Sequence, residues 1–488
     1  MGQPSRNMTC LGGWFLVLGV LLALVSGGRA LADWQITTYG DTDEDPSIAW
    51  NGDHYLVAWS RSRNDTNFVY GRRVTSSREF VGGEIPVWDP VLSSSPGGAL
   101  YPRAAAGGEG GSKWLVVWRN EYGGVMEILG RFINADGTPD GSVVTLGTTN
   151  YFSPVPVIAW NGSQWLVVWE GYETYRYIQG RFVYTDGTMG SVFDIDKETG
   201  VQKYRARVGA IGSDFFVAWM DNGEGTYDIC GKNVDANGDL TTKLVVHRCE
   251  GTDYTNTVSG GSSHFLVTWR CLGSAGNAHI WGRRVNAAGT SPVGAEIEIS
   301  SDQINNSGAA AWTGSYFKVA YDLISQGPYY RPVYEDGSMG DETDLSTLLS
   351  TGVGTYVANA QGDTNCLCVW EANIGNRDIF ADGIGDVTAI PAGGAPSRCF
   401  LAPNTPNPFN PTTTLRFGIP EEGHVLLAIH DVCGRRVSIL EDAPRSAGEF
   451  FRTWDGRDES GRDVPSGIYI ARLVAGDFTA TRKMVLLR

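Results

Sequence analysis

The sequence is poor in charged residues, in histidine and in long apolar runs. Charged residues make up 19% of its 488 residues, against about 25% in an average soluble protein, and only six residues are histidine. Beyond the amino terminus no stretch is apolar enough to span a bilayer, and no GxSxG, HExxH or phosphate-cradling glycine loop occurs. The common signatures of esterase, metalloprotease and nucleotide chemistry are therefore absent from the sequence.

Glycine and aromatic residues are abundant, and they indicate an all-β protein. There are 64 glycines, 16 tryptophans, 20 tyrosines and 18 phenylalanines. This composition favours short strands joined by tight turns, and it excludes a helical bundle or a coiled coil. A hydrophobic content of 42% is ample for a core, so a disordered chain is excluded as well.

The net charge of −16 bears on the kind of partner to expect. An acidic surface repels phosphate backbones, so we expect no nucleic acid partner, and it favours cations, basic proteins or neutral ligands.

The amino terminus is typical of a secretory signal. Arg6 precedes an apolar run from Leu11 to Val25, and an Ala-x-Ala site ends at Ala32. Cleavage there would remove residues 1–32, leave Asp33 first, and give a secreted or cell-surface protein with no membrane span. A membrane anchor is the alternative, but the run is shorter than the roughly 18–20 residues that a span needs.

An apolar run that ends in an aromatic residue recurs seven times. The final aromatics are spaced 59, 51, 50, 50, 52 and 49 residues apart, at positions Trp59, Trp118, Trp169, Trp219, Trp269, Tyr321 and Trp370. Each run follows a second apolar segment and a turn such as Asn51-Gly52 or Asn161-Gly162, which is a tight hairpin signal. Four strands in about 50 residues, repeated seven times, predict a seven-bladed β-propeller over residues 33–390.

Ring closure is predicted from the two ends of the repeat region. The seventh repeat has no convincing fourth strand, and the segment from Asp33 to Thr37 matches the fourth-strand position. We therefore expect the amino-terminal strand to complete the last blade, which leaves no open edge. An open β-solenoid is the alternative.

A third-strand motif of the form GR recurs in the repeats. Its arginines are Arg72, Arg131, Arg181 and Arg283. Because the same residue recurs in successive blades, we expect a structural role between blades rather than a single site.

The repeat stops at a Pro-, Gly- and Ala-rich linker, residues 391–399, and residues 400–488 read as a small β-sandwich. This last segment contains Pro406-Asn407-Pro408-Phe409-Asn410-Pro411, Trp454-Asp455-Gly456 and Ser466-Gly467-Ile468-Tyr469. These motifs resemble the carboxyl-terminal domain of bacterial type IX secretion cargo, which is related to the immunoglobulin-like domain of the flagellar hook-capping protein. The resemblance implies a bacterial protein that the secretion machinery exports and then releases or holds at the surface. A stabilising module without a sorting role is the alternative.

The cysteines leave two interpretations open. Seven remain after processing, so at least one is unpaired, and a Cys230–Cys271 or Cys249–Cys271 bridge competes with buried thiols that act as small hydrophobes.

Candidate ligand-binding residues lie in the connections between blades. In a meander the short Asn-Gly and Asp-Gly turns share one face, and we expect long loops, between strands two and three and between blades, on the other. That second face carries an aromatic residue just before successive innermost strands, with arginines beside two of them: Tyr101, Arg103, Tyr151, Phe152, Tyr204, Arg205 and Tyr254. Aromatic rings flanked by donors suit sugar rings or an extended peptide, whereas tyrosines that merely fill the space between blades are the structural alternative.

Acidic residues give weaker candidates. Asp41, Asp43 and Asp45 alternate and offer oxygen ligands for calcium, but the loop pattern of an EF-hand fails at Pro46. The carboxylates expected near the mouth are Glu121, Glu173, Asp221, Glu224 and Asp253, of which a glycosidase would need two at a set separation. A scatter of surface acids is the simpler interpretation, so we predict no catalytic residue and no cofactor other than calcium.

Three functions follow from this sequence. The first is a monomeric extracellular protein whose propeller binds a glycan or a protein without catalysis. The second is a secreted glycoside hydrolase or lyase, and the third is a scaffold with no soluble ligand.

Overall fold

A computed structural model describes most of the chain beyond the amino terminus. The described residues are 34–37, 41–64, 66–76, 79–89, 98–122, 124–223, 225, 227–249, 253–272, 278–300, 302–324, 327–345, 357–360, 367–374, 376–383, 399–401, 404, 409–419, 423–432, 434–445, 448–476 and 478–487. The predicted signal peptide, its cleavage site at Ala32 and Asp33, and most of the linker lie outside them.

Seven four-stranded antiparallel sheets follow one another along the chain. Blades one and two contain β2 to β9, which are Thr42–Trp50, Tyr55–Arg63, Thr66–Val74, Phe80–Trp88, Gly98–Gly107, Lys113–Tyr122, Val125–Asn134 and Pro139–Thr149. Blades three and four contain β10 to β17, which are Val157–Trp160, Trp165–Tyr172, Arg176–Val183, Phe193–Asp196, Lys203–Ile211, Asp214–Asp221, Asp228–Val234 and Leu244–His247. Blades five and six contain β18 to β25, which are Asp253–Gly260, His264–Leu272, Ala278–Asn286, Pro292–Glu298, Ile304–Trp312, Tyr316–Leu323, Gly327–Tyr334 and Thr343–Asp344. Blade seven contains β26 to β28, Val357–Ala360, Leu367–Ile374 and Asn376–Gly383, together with β1, Trp34–Gln35.

The seven sheets form a closed ring. The first strand of each sheet contacts the first strand of the next, and β26 contacts β2, so these strands surround the central axis. β1 pairs with β28, with Trp34 opposite Ala381, and supplies the fourth strand of blade seven. The predicted fold, a seven-bladed propeller of four-stranded antiparallel blades closed by the amino-terminal strand, is confirmed.

The anchor strands build the core because their residues alternate between two neighbouring blades. In β3, Tyr55, Val57 and Trp59 pack toward blade seven, while Leu56 and Ala58 pack toward blade two. The anchor aromatics are fully or almost fully buried around the ring. A strand that is apolar on both faces is expected in an inner layer, since sheets cover both of its faces.

The recurrent arginines join each blade to the one before it. Arg72 donates to Ile36 O at 2.7 Å, Arg131 to Val87 O at 3.0 Å and Arg181 to Leu146 O at 2.9 Å. Arg283 donates to Val246 O at 2.9 Å, and Lys232 makes the equivalent bond to Ile195 O at 3.0 Å. The predicted structural role between blades is confirmed, and each bond satisfies a fourth-strand carbonyl that lies outside the ladder.

The loops between strands two and three are shorter than predicted. In blade one β3 ends at Arg63 and β4 begins at Thr66, and in blade four β15 ends at Asp221 and β16 begins at Asp228, because the paired strands continue well past the apolar runs. The turns on the opposite face include the predicted Asn-Gly hairpins, where Gly52 has φ of 100°. There the Asn51 side chain donates to Gly111 O of the next blade at 3.0 Å.

The carboxyl-terminal residues form a β-sandwich with its own core. A sheet of β29, β30 and β33, which are Phe400–Leu401, Thr413–Ile419 and Gly448–Trp454, packs against a second sheet. The second sheet contains β31, β32, β34 and β35, which are Gly423–Asp431, Arg436–Arg445, Gly467–Ala475 and Phe478–Leu486. Trp454 packs on Phe409 and on Tyr469, with ring centroids 5.6 and 4.9 Å apart, so the three sequence motifs meet in one core.

Two further features concern single residues and helices. Cys230 is a buried free thiol in the core between blades three and four, and burial raises its pKa to about 12. The proposed Cys230–Cys271 bridge is therefore wrong. In the described part of the chain, no helix is long and apolar enough to cross a membrane.

Candidate functional site

The innermost strands bulge where they approach one face of the ring. The register shifts between Glu44 and Ser47 in β2, between Leu100 and Arg103 in β6, and between Tyr204 and Arg207 in β14. Within these bulges Asp45, Tyr101 and Arg205 adopt φ of 57°, 56° and 52°, a conformation that non-glycine residues rarely adopt. A bulge frees backbone groups from the ladder and re-aims side chains, so this face, here called the mouth, differs from the turn face.

Buried carboxylates at the inner end of the mouth accept hydrogen bonds from backbone N–H groups. The Asp45 N–H donates to Glu371 Oε2 at 3.2 Å, and the Tyr101 N–H donates to the Asp45 carboxylate. In blade three the Val155 N–H donates to Glu170 Oε2 at 3.0 Å. These bonds link blade seven to blade one, and blade one to blade two, at the inner end of the mouth.

Burial perturbs the protonation of these acids. It raises the pKa of Asp45 to about 6, against the opposing charge of Arg103, and it raises the pKa of Glu371 to about 7, against the Asp45 N–H. The pKa of Glu170 is likewise raised by burial. Asp45 is 5% exposed and Glu371 is 1% exposed, so neither carboxyl group is open to a bulky ligand.

Two arginines occupy equivalent places beside these acids. Arg103 lies opposite Val117, and Arg207 lies opposite Ala218. Each of these partners is the residue directly before an anchor tryptophan. Burial, together with the charges of Arg103 and Arg205, lowers the pKa of Arg207 to about 9, and the charge of Glu170 opposes the shift. The inner strands therefore bring several positive charges together around the axis.

The predicted tyrosines each carry a guanidinium group on a ring face. The Arg119 guanidinium lies 4.9 Å from the Tyr101 ring centroid, and that of Arg205 lies 4.4 Å from Tyr254. Arg176 lies between Tyr151 and Tyr204, at 4.4 and 4.3 Å. Arg270 reaches Tyr254 as well, at 5.8 Å.

The rings belong partly to the core and partly to the surface. Tyr204 and Tyr254 are half-buried against the cluster between blades four and five, and burial together with a hydrogen bond to Tyr227 raises the pKa of Tyr204. Phe152 is 70% exposed and stands edge-on to Tyr151, with centroids 5.1 Å apart. Tyr172, at the end of β11, is 39% exposed. Tyr204 and Tyr254 thus fill space between blades, as the structural alternative expects, whereas Phe152 and Tyr172 are accessible to a ligand.

The predicted calcium ligands do not converge. The Asp41 carboxylate accepts hydrogen bonds from Arg63 at 2.9 and 2.6 Å. Asp43 is buried and accepts two bonds from Arg61, at 2.7 and 3.0 Å, while Asp45 faces Tyr101. Since arginines already neutralise two of the three aspartates, the geometry gives no support to calcium binding here.

A different acidic group lies between blades three and four. Carboxylate oxygens of Asp196, Glu198 and Asp221 lie within 4.8 Å of one another. The buried Lys203 Nζ is 3.1 Å from Asp196 and 3.3 Å from Asp221, and Lys243 Nζ is 2.8 Å from Glu198. Ammonium groups thus take the place that a metal cation would occupy.

Among the side chains that the structure describes, which do not include those of Asp253 and Glu224, the acids predicted near the mouth do not form a catalytic pair. Glu173 pairs with Lys197 at 2.7 Å, and Asp221 belongs to the lysine cluster between blades three and four. Glu121 is exposed at the end of β7, and Glu224 lies outside the described residues. The buried acids Asp45, Glu170 and Glu371 are the ones that border the mouth.

Sequence reasoning missed most of the charged residues at the mouth. The residue directly after the anchor aromatic is charged in five of the seven repeats: Arg119, Glu170, Arg270, Asp322 and Glu371. This position follows an apolar run and so faces the interior at the mouth end of the second strand. A recurrent charge there is a signal that an alignment of the seven repeats would have revealed.

Comparisons with known proteins give only distant structural likenesses. No protein-family profile and no curated protein matches the chain. A solved structure of the β-propeller domain of the Trilobed protease from Pyrococcus furiosus resembles it with a TM-score of 0.43 and 12% identity, covering 71% of this chain and 94% of that one. Pyrococcus horikoshii acylaminoacyl peptidase gives 0.42 and 11%, covering 78% of this chain, which spans 57% of the peptidase. A putative glycoside hydrolase from Parabacteroides distasonis gives 0.36 and 9%, covering 71% of this chain and 87% of that one.

Proposed function

We propose that the chain is an exported bacterial protein whose propeller binds an extracellular ligand, a glycan or a protein, at the mouth. The observation that carries the proposal is the set of arginine–tyrosine contacts across blades two to five, with Phe152 and Tyr172 exposed beside them. Aromatic rings and guanidinium groups are the side chains that most often dominate recognition surfaces. The opposite face consists of hairpin turns.

Retention on insoluble material tests this proposal. Purified protein is incubated with a panel of polysaccharides and cell-wall fractions, and bound protein and released soluble sugar are scored in the same tube. Replacing Phe152 by Ala is expected to reduce retention at least fivefold. Val192→Ala is the matched control, because Val192 is an exposed apolar residue, 44% accessible, in a connection on the opposite face. Equal retention of the two variants would contradict recognition at the mouth.

A second candidate, a carbohydrate-active enzyme, rests on the buried acids. A carboxyl group with a pKa of about 6 or 7, as in Asp45 and Glu371, is protonated often enough near neutral pH to act as a general acid. Their burial and their bonds to backbone N–H groups argue against contact with a substrate. Release of soluble sugar that Glu371→Gln abolishes would establish catalysis, and retention without release would leave the binding function.

We further propose that the carboxyl-terminal domain directs secretion or surface attachment. Its separate core predicts that removing residues 400–488 leaves the propeller folded. In a host with type IX machinery, the truncated protein should remain inside the cell envelope while the full chain reaches the medium or the outer surface. Equal export of both would leave the domain a stabilising module.

A further inference from the structure

Four arginines at the mouth share one environment. They are Arg119, Arg176, Arg205 and Arg270, here called the arginine row, and they come from the successive blades two to five. Each guanidinium lies within 6 Å of a tyrosine ring centroid. A tyrosine face orients the planar guanidinium group and leaves its in-plane N–H groups available to an acceptor.

None of these four arginines forms an ion pair with a carboxylate among the residues that the structure describes. In blade one, by contrast, the arginines at the same end of the blade are paired with carboxylates: Arg61 is 2.7 Å from Asp43, and Arg63 is 2.6 Å from Asp41. Acidic residues outnumber basic ones by 54 to 38 in the chain, so carboxylates are plentiful. The lack of an ion pair at these four arginines in the described structure is therefore a local feature of this surface, although the charge of Arg119 does act on the buried Asp45.

Part of the row is already desolvated in the folded protein. Arg119 is 9% exposed and donates to Ser153 Oγ at 2.8 Å, and the Arg270 Nε is buried with no hydrogen-bond partner among the described residues. Burial lowers the pKa of Arg270, which means that its neighbours do not fully offset the cost of removing the charged guanidinium group from water. A bound anion would supply that compensation, and carboxylate and sulfate groups match the guanidinium geometry with two parallel hydrogen bonds.

The aromatic residues beside the row favour a sugar over a dense polyanion. Phe152 and Tyr172 offer exposed apolar faces next to Arg176, and a pyranose ring has an apolar face of matching size. A nucleic acid carries about one charge per 1.7 Å of helix and would be repelled by the net negative charge of the chain, whereas an acidic sugar carries about one charge per residue.

We propose that the mouth selects a glycan that bears carboxylate or sulfate groups, with the arginine row as its anion-binding element. This inference rests on the proposed function and names the ligand class of the same site. It also runs against the expectation, drawn from the net charge, of a cationic or neutral ligand.

Binding of polygalacturonate and of its fully methyl-esterified form by the full chain tests the inference, because esterification removes the charge of each carboxylate and leaves the sugar backbone unchanged. Alginate and chondroitin sulfate extend the acidic set, and poly-L-glutamate and single-stranded DNA serve as acidic polymers that are not glycans. We expect at least one acidic glycan to bind at least tenfold more tightly than the methyl ester and than either non-glycan polymer. Raising the salt concentration should weaken this binding, since charge attraction is screened.

Variants locate the effect. Arg176→Gln combined with Arg205→Gln should weaken binding of the acidic glycan at least tenfold, and Arg176→Lys should recover only part of the loss because it keeps charge without the planar fork. Arg63→Gln is the matched control: it removes an arginine from the same end of blade one, but one that is already paired with Asp41, and it should change affinity less than twofold. Thermal unfolding of each variant verifies folding.

The outcomes separate the two proposals. One contrary outcome is that polygalacturonate and its methyl ester bind equally, with an affinity that Phe152→Ala lowers and the arginine variants leave unchanged. That result would overturn the inference about charge and would still support recognition at the mouth. If poly-L-glutamate or single-stranded DNA binds more tightly than every acidic glycan, the assignment of a glycan as the ligand is overturned. No binding to any acidic glycan would overturn the inference, and retention in the panel assay would still decide the proposed function.

Discussion

The backbone N–H of Asp45 donates to Glu371 Oε2 at 3.2 Å across 326 positions of sequence. This bond fastens the first blade to the last at the inner end of the mouth. It also places an acidic group with a perturbed pKa at the closure of the ring, where its protonation bears on stability.

Glu371→Gln should flatten the dependence of stability on pH. Burial raises the pKa of Glu371 from 4.5 to about 7, so the folded chain holds a proton that the unfolded chain releases. The resulting stabilisation is complete below about pH 4.5 and is lost as the pH rises through 7. The glutamine keeps an oxygen acceptor for Asp45, and at pH 8 the variant should be more stable than the wild type by about 1–3 kcal/mol. Urea unfolding at pH 5, 6, 7 and 8 measures this, with the exposed Glu173→Gln as control; parallel curves for all three proteins would refute it.

Ile36→Ala should destabilise the propeller even though Ile36 directly follows a strand, β1, of only two residues. The side chain is fully buried between blades seven and one, and its backbone carbonyl accepts the Arg72 bond. Loss of a buried isoleucine side chain costs about 2–5 kcal/mol. Ile324→Ala, at a position that is 44% exposed, should cost less than about 0.5 kcal/mol. Denaturant midpoints of the two variants decide the matter, and indistinguishable values would mean that the terminal strand does not fasten the ring.

Lys203→Met should be strongly destabilising. Lys203 is fully buried and lies 3.1 Å from Asp196 and 3.3 Å from Asp221, so its loss leaves these two buried carboxylates with only the partly exposed Lys232 and Lys243 as cationic partners. Breaking a buried ion pair from one side costs about 3–5 kcal/mol, whereas an exposed pair contributes less than about 1 kcal/mol. Lys197→Met removes the exposed Lys197–Glu173 pair and is the control. The expectation fails if calorimetry gives the two variants similar transition temperatures.

Trp454→Ala should unfold the carboxyl-terminal sandwich and leave the propeller intact. Trp454 contacts Phe409 and Tyr469 in a core built from residues 399–486 alone. Loss of a buried tryptophan costs about 3–5 kcal/mol, which is most of the stability of a small domain. Limited proteolysis with mass analysis should show digestion of the carboxyl-terminal segment and a resistant propeller. Val432→Ala, at a position 70% exposed, should be digested like the wild type, and loss of the propeller in W454A would contradict separate folding.

The blade architecture could be predicted because its signals are local and repeated. Seven copies of an apolar run and its Asn-Gly or Asp-Gly turns specify hairpins, and Trp34 and Gln35 match the one missing strand. Loop lengths were predicted less well. Polar strand ends such as Arg61–Arg63 and Thr66-Asn67 pair fully with each other yet carry no apolar pattern.

The site could be predicted only in part for a related reason. Tyr101, Tyr151, Tyr204 and Tyr254 stand out in the sequence, but their arginine neighbours come from other strands; for Tyr151 and Tyr204 the neighbour is Arg176, at the start of β12. Which cation lies on which ring depends on the bulges, and a one-residue shift of register reverses a side chain's face. The alternating aspartates at positions 41, 43 and 45 suggested a calcium site because the sequence does not show their partners. In the structure Arg61 and Arg63, on the neighbouring strand, neutralise two of them.

The pairing of β1 with β28 has a consequence for the order of events in biosynthesis. Thr37 and Asp378, which are hydrogen-bonded in the finished ring, are separated by 341 positions, so the segment around Thr37 leaves the ribosome long before its partner in β28. At about 5–20 residues per second, the nascent segment waits tens of seconds. Blades one to six can form as each hairpin set emerges, but the circle cannot close before β28 has been synthesised. Until then the chain remains an open spiral with an unpaired strand at each end, which is the interval in which holding factors or a translocation channel could act on it.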